Sequence, residues 1–210
     1  MPLHAIEIAP RTSPATGSIV LLHGYGASEE DLAPLAEMID PSLSATALRA
    51  PLSLPWGGYA WYPIVPRGEK IDFDAGEVAA AVAQATEAIE AIAQRDGRPP
   101  ILLGFSQGGG IALSVALMRP ELCRAVVALS AVPPMVPPAQ RAPRAALAKL
   151  PFFVAHGTRD PLLPLVYGHA TRAALEESGC APEWHEYPMV HEISPAELSD
   201  ARAFVARLVR

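Results

Sequence analysis

The chain has 210 residues, half of them hydrophobic and 18% charged, enough to bury one sizeable core but too little for a second, so one domain over 1–210 is expected. Sixteen basic against 22 acidic residues leave a net charge of -6 without any Lys/Arg cluster, which argues against nucleic-acid binding through a basic face. No basic start followed by an apolar run opens the chain, and Pro, Gly or charge cuts every apolar stretch well short of the ~18 residues a span needs, so neither a signal peptide nor membrane insertion is expected.

Cys123 and Cys180 lie far apart without CxxC spacing, so no disulfide framework or thiolate metal site is expected and a cytoplasmic location fits. Residues 3–9 alternate apolar and polar, and 19–22 form a continuous apolar run after SPATG. The pattern predicts an exposed strand hairpinned to a buried one. Ser28 and Asp31 open a helix pattern through Leu32, Leu35 and Ile39 that stops before Asp40. Residues 45–50 read as the next strand, whereas 51–70 are too broken by Pro and Gly for regular structure and suit a functional loop. Val78, Val82, Ala85, Ile89 and Ile92 follow helical spacing up to Gly97. Four further buried-strand candidates follow at 101–105, 125–129, 152–156 and, more polar, 183–187. Ser194, Pro195 and Glu197 then supply the start signals of a terminal helix. Alternating strands and helices predict an α/β three-layer sandwich with a mostly parallel sheet and an antiparallel N-terminal strand, with active groups at strand C-terminal ends.

At that position stands Gly104-Phe105-Ser106-Gln107-Gly108, with a strand pattern before it and a helix pattern after it. A sharp strand-to-helix turn lifts a serine hydroxyl clear of the sheet, and the flanking glycines remove the side chains that would obstruct it. A serine at its free pKa is a weak nucleophile, so a base and an orienting carboxylate must follow, in the order Ser, Asp/Glu, His. Asp160, past the strand at 152–156, and His191, past the last strand, meet that order. The remaining histidines fit less well: His4 and His185 fall in strands, His169 in a helix, and His23 and His156 each precede a glycine, which suits turn shaping. His191-Glu192 lacks the second histidine of a zinc-protease helix, so no metal ligand set is predicted. The backbone amides of Tyr25 and Gln107 are the candidates for an oxyanion hole, because residues 22–26 form a Gly-rich loop after a buried strand.

LHGYG at 22–26, GFSQGG at 104–109, HGTRDPLLP at 156–164 and the His191 loop together resemble the phospholipase/carboxylesterase family of α/β-hydrolases, over nearly the whole chain. The resemblance implies a Ser106, Asp160 and His191 triad, an oxyanion hole from Tyr25 and Gln107, and an active-site border at the Trp-containing segment 56–63. Departures are Tyr25, where leucine is frequent, and Ala131, where glycine is common; both bear on pocket shape. Four of the 13 aromatic residues, Trp56, Tyr59, Trp61 and Tyr62, fall within 56–62, which suggests an apolar wall beside a substrate, with Met135 on a second rim. No insertion long enough for a cap domain is present. The expected activity is hydrolysis of short- to medium-chain carboxylic esters without a cofactor, by a monomer or homodimer. An acyl-protein thioesterase or lysophospholipase, and a non-catalytic binding protein on the same fold, are the alternatives.

Overall fold

The computed structural model describes residues 3–67 and 70–209. Eleven strands and six α-helices occur among them. In chain order these are β1 (Ala5–Ile8), β2 (Gly17–Leu22), α1 (Glu29–Ile39), β3 (Leu43–Leu48), β4 (Leu52–Ser53), β5 (Tyr59–Ala60), β6 (Val65–Arg67) and β7 (Lys70–Asp72). There follow α2 (Ala75–Asp96), β8 (Ile101–Phe105), α3 (Ser106–Met118), β9 (Ala125–Leu129), α4 (Arg144–Leu147), β10 (Phe152–Gly157), α5 (Leu165–Glu177), β11 (Glu183–Tyr187) and α6 (Pro195–Leu208). The main sheet has seven strands in the order β1-β3-β2-β8-β9-β10-β11, and only the β1–β3 pair is antiparallel.

The apolar runs of β2, β8, β9 and β10 are buried on both faces, as parallel interior strands require. Alternation divides them between two cores. Val20, Leu22, Leu102 and Val126 face the layer of α2 and α3, whereas Ile19, Leu21, Leu103 and Val127 face α1 and α6. The stripe Val78, Val82, Ala85, Ile89 and Ile92 fixes α2 on the first layer. Asp74 caps that helix by accepting from the Gly76 and Glu77 amides, and Gly97 closes it at φ 67°, a left-handed turn that a β-carbon would strain.

Two expectations are corrected. The first strand does not hairpin to 19–22: β1 pairs with β3 instead, leaving β2 with parallel neighbours on both sides. The connection between β1 and β2 passes over the 41–42 turn, where the Arg11 amide reaches the Pro41 carbonyl and the Thr16 amide that of Ser42. The 51–70 stretch is also more regular than its Pro and Gly content suggested, since it holds β4–β5 and contributes to the β6–β7 ribbon. Residues 68–69 of that stretch lie outside the described residues.

The chain runs outward from β2 to β3 and returns, through β4–β7 and α2, to place β8 on the other side of β2. The loops leaving β2 and β8 therefore diverge from paired residues, Leu22 opposite Gly104, at the sheet's topological switch point. They are in backbone contact. A β-carbon on Gly108 would lie 2.2 Å from the Leu22 carbonyl oxygen, and one on Gly104 would lie 2.5 Å from that of Gly108. We expect Gly108→Ala to lower unfolding stability by about 3 kcal/mol, read from urea denaturation, because backbone rather than a flexible side chain has to move.

Candidate active site

Ser106 is the first residue of α3, at φ 54°, and shares positive φ among described non-glycine residues only with Ser130 at the end of the neighbouring β9. Such a conformation persists only where its surroundings impose it. Here the imposing contacts are the Gly104 and Gly108 approaches and a bond from the Val132 amide to the Ser106 carbonyl. The side chain lies in the first turn of α3, where backbone N–H groups favour negative charge.

Asp160 follows β10. Its Oδ1 accepts from the Leu162 and Leu163 amides at 2.9 and 2.8 Å, and its Oδ2 lies 2.6 Å from His191 Nδ1. Buried His156 closes the same loop by donating from Nε2 to the Leu163 carbonyl at 2.7 Å, and burial lowers its pKa. His191 lies between β11 and α6. Its loop is tied to the Asp160 loop by bonds from the Thr158 amide to the Tyr187 carbonyl and from the Arg159 amide to the Met189 carbonyl. A carboxylate can only accept from Nδ1, so Nε2 presents its lone pair to the Ser106 hydroxyl, 2.9 Å away. The imidazole also packs on the Phe105 ring at 4.8 Å. Ser106, Asp160 and His191 are thus hydrogen-bonded in series across 85 and 31 residues of sequence.

The loop of residues 23–27 runs beside the serine, where a β-carbon on Gly24 would come within 3.2 Å of the Ser106 β-carbon. Its Gly26 amide donates to the Tyr59 carbonyl and the Tyr59 amide to that of Ala27, which pins the loop around Tyr25 to the 59–62 segment. Gln107, whose amide is the other oxyanion candidate, uses its side chain as a bridge. Oε1 accepts from the Trp61 amide and Nε2 donates to the Tyr62 carbonyl, each at 2.8 Å.

The five residues expected beside a substrate separate into distinct settings. Trp56 is 72% exposed. Tyr59 is half-buried beneath the Arg49 guanidinium, 4.6 Å from its ring centre. Trp61 and Tyr62 are buried rather than part of an open wall: the Trp61 indole N–H donates to the His23 carbonyl at 2.9 Å, and the Tyr62 ring meets Phe73 edge-on. Met135 is half-buried against the α2–α3 core. Leu162 and Val190, within two residues of Asp160 and His191 in the chain, are exposed instead, as is Val166 in the first turn of α5. Leu162 and Val190 were visible in the sequence as large aliphatic residues outside the strand and helix patterns, whereas Val166 lies in α5.

Two clefts, of about 450 and 140 Å³, run along α2 and share Gln84; neither is lined by Ser106, Asp160 or His191. No group of three or more His, Cys, Asp or Glu side chains suited to a metal ion occurs among the described residues. No helix among them is long and apolar enough to cross a membrane.

A family model described as phospholipase/carboxylesterase matches residues 3–209. Acyl-protein thioesterase 1 of Mycosarcoma maydis is 28% identical, with 99% of this chain and 98% of that protein covered. The protein of the same name from Saccharomyces cerevisiae is 25% identical, with 98% of each covered. Among solved structures, esterase PE8 superposes with a TM-score of 0.83 at 25% identity, covering 99% of this chain and 100% of that one. The Bacillus cereus carboxylesterase gives 0.83 at 21% identity, over 98% and 94% of the two chains, and supports the shared fold.

The helix after His191 begins with a reciprocal cap: the Glu197 amide donates to Ser194 Oγ and the Ser194 amide to Glu197 Oε2. Glu197 is fully buried, its Oε1 has no hydrogen-bond partner, and burial pushes its pKa up to about 8. Between about 4.5 and about 8 the folded chain keeps a proton that the unfolded chain loses, so rising pH favours unfolding through this group. Subtracting the urea stability of Glu197→Gln from that of the wild type should leave a difference that falls as pH rises through this window.

Proposed function

We propose that this chain, which belongs to the phospholipase/carboxylesterase family, is one α/β-hydrolase domain over 1–210 that hydrolyses short- to medium-chain carboxylic esters through Ser106, His191 and Asp160. The observation that carries this reading is the hydrogen-bonded series from the Ser106 hydroxyl through His191 to Asp160, at 2.9 and 2.6 Å, starting from a serine with positive φ. Ser106 Oγ attacks the ester carbonyl while His191 Nε2 takes its proton, and Asp160 holds the tautomer and stabilises the resulting cation. The amides of Tyr25 and Gln107 hold the oxyanion. His191 returns the proton to the leaving alcohol, and the alcohol departs as the acyl-Ser106 ester forms. Water, deprotonated by His191, then attacks that ester; collapse of the tetrahedral intermediate releases the acid and returns the proton to Ser106. The reaction needs no cofactor, and two buried free cysteines fit a cytoplasmic location.

A second reading, thioester or long-chain acyl hydrolysis by the same residues, is favoured by the name of the two relatives and by the exposed Leu162 and Val190, within two residues of Asp160 and His191 in the chain. Activity on p-nitrophenyl esters from acetyl to palmitoyl separates the two. We expect kcat/KM to peak at short or medium chains; a peak at palmitoyl moves the assignment to the second reading. Ser106→Ala and His191→Ala should each lower kcat by about 10⁶-fold. Asp160→Asn should lower it by about 10⁴-fold. Circular dichroism should be unchanged in all three, and substantial turnover by the serine or histidine variant removes the mechanism.

A further inference from the structure

His23 is 1% exposed at the start of the loop beside Ser106. Both ring nitrogens are engaged, by partners whose roles cannot be exchanged. Nδ1 lies 2.8 Å from the Gly24 carbonyl, which can only accept, and Nε2 lies 3.0 Å from the Ala50 amide, which can only donate. The ring therefore carries its hydrogen on Nδ1 and a lone pair on Nε2. The backbone carbonyl of the same residue takes the Trp61 indole N–H. His23 thus joins three segments: the 23–27 loop, the 49–50 corner after β3, and the 59–62 segment that Gln107 ties to the elbow, the β8–α3 turn that carries Ser106.

We propose that His23 is a positioning residue for the hydrolytic reaction, holding the 23–26 loop in its oxyanion-binding shape only while its ring is the neutral Nδ1–H tautomer. Protonation would place an N–H on Nε2 facing the Ala50 N–H, two donors in contact inside the protein, so the corner and the loop have to part. The charged groups around the ring oppose one another. Glu29 and Asp31 of α1 favour the cation, whereas Arg49 beside Ala50 disfavours it; Trp61, the remaining ring neighbour, carries no charge. Glu29 and Arg49 are themselves paired, Arg49 Nε lying 2.9 and 2.8 Å from the two Glu29 oxygens, which attenuates the field of each at His23. Burial outweighs them and lowers the His23 pKa below its usual 6.5.

The inference rests on the reading of Ser106 as nucleophile, and its test separates the two. Two neutral imidazoles are then needed for turnover, His191 as base and His23 as support. The acid limb of log kcat/KM should start with a slope of one and steepen towards two at lower pH, within the range where near-UV circular dichroism is constant. His23→Ala should lower kcat at neutral pH by about 10²–10³-fold, the effect of losing an oxyanion donor, with KM little changed. His23→Gln, whose Oε1 can accept from the Ala50 amide, should recover part of that loss and show an acid slope of one throughout. If the variants do not fold, ring ¹⁵N shifts of wild-type His23 decide: a neutral Nδ1–H ring at neutral pH that gains its second proton over the pH range where the acid limb steepens supports the proposal. An Nε2–H tautomer, a wild-type acid slope of one throughout, or variants with wild-type kcat would overturn it while Ser106 dependence stands. Turnover that survives Ser106→Ala would overturn the reading of the site itself.

Discussion

The close approach of two backbones at the switch point of the sheet organises everything around it. Gly108 leaves no room between the start of α3 and the carbonyls of Leu22 and His23, so the elbow and the 23–26 loop behave as one body rather than as two loops facing each other. Backbone packed on backbone has few soft degrees of freedom. Tyr25 and Gln107 follow the two sides of that contact in the chain, and Ser106 takes its positive φ beside it. In the proposed mechanism this rigidity serves electrostatics, because donors that do not reorganise stabilise developing charge most effectively.

A second tier of buried polar groups keeps this body in register with its surroundings. Gln107 satisfies two backbone groups of the 61–62 segment that would otherwise be buried without partners. Glu29, buried in the first turn of α1, is held below the usual carboxylate range mainly by its hydrogen bonds to Arg49. The Arg49 guanidinium then lies over the Tyr59 ring, so charge, aromatic face and backbone bridge form one chain leading to the 23–27 loop. Removing one partner from such a set costs more than the bond itself, because the remaining group stays buried and unpaired.

Most strands were legible because their signals are local, and the residues proposed for the chemistry stand in equally local motifs. The apolar runs at 101–105 and 125–129, the GFSQG turn and the Ser194 cap each carry their information within a few residues. What was not legible depends on which strand lies beside which. The partner of β1 is set by β2 needing parallel neighbours on both sides, a property of the whole sheet rather than of residues 3–22. The aromatic cluster at 56–62 was visible, yet composition cannot tell an exposed Trp56 from a buried Trp61 when the deciding partners, His23 and Gln107, lie 38 and 46 residues from Trp61 in sequence. His23 was visible as a residue before a glycine, whereas the Ala50 amide that fixes its tautomer was not. Glu197 carried a clear capping signal, but nothing in it foretold full burial.

The order of the strands also ranks the proposed reactive groups by how firmly they are anchored. Ser106 leaves β8, the middle strand of seven, whereas His191 follows β11, which has a neighbour on one side only. Margins of a sheet open locally at lower free energy than its centre. Peeling β11 and the start of α6 from β10 would carry His191, the proposed base, away from an elbow that stays folded. Such a chain retains most of its helices, strands and buried aromatic residues, so spectroscopic probes of the core read it as native. Heat or denaturant should silence the enzyme before the molecule melts, making catalysis a gauge of one edge of the sheet.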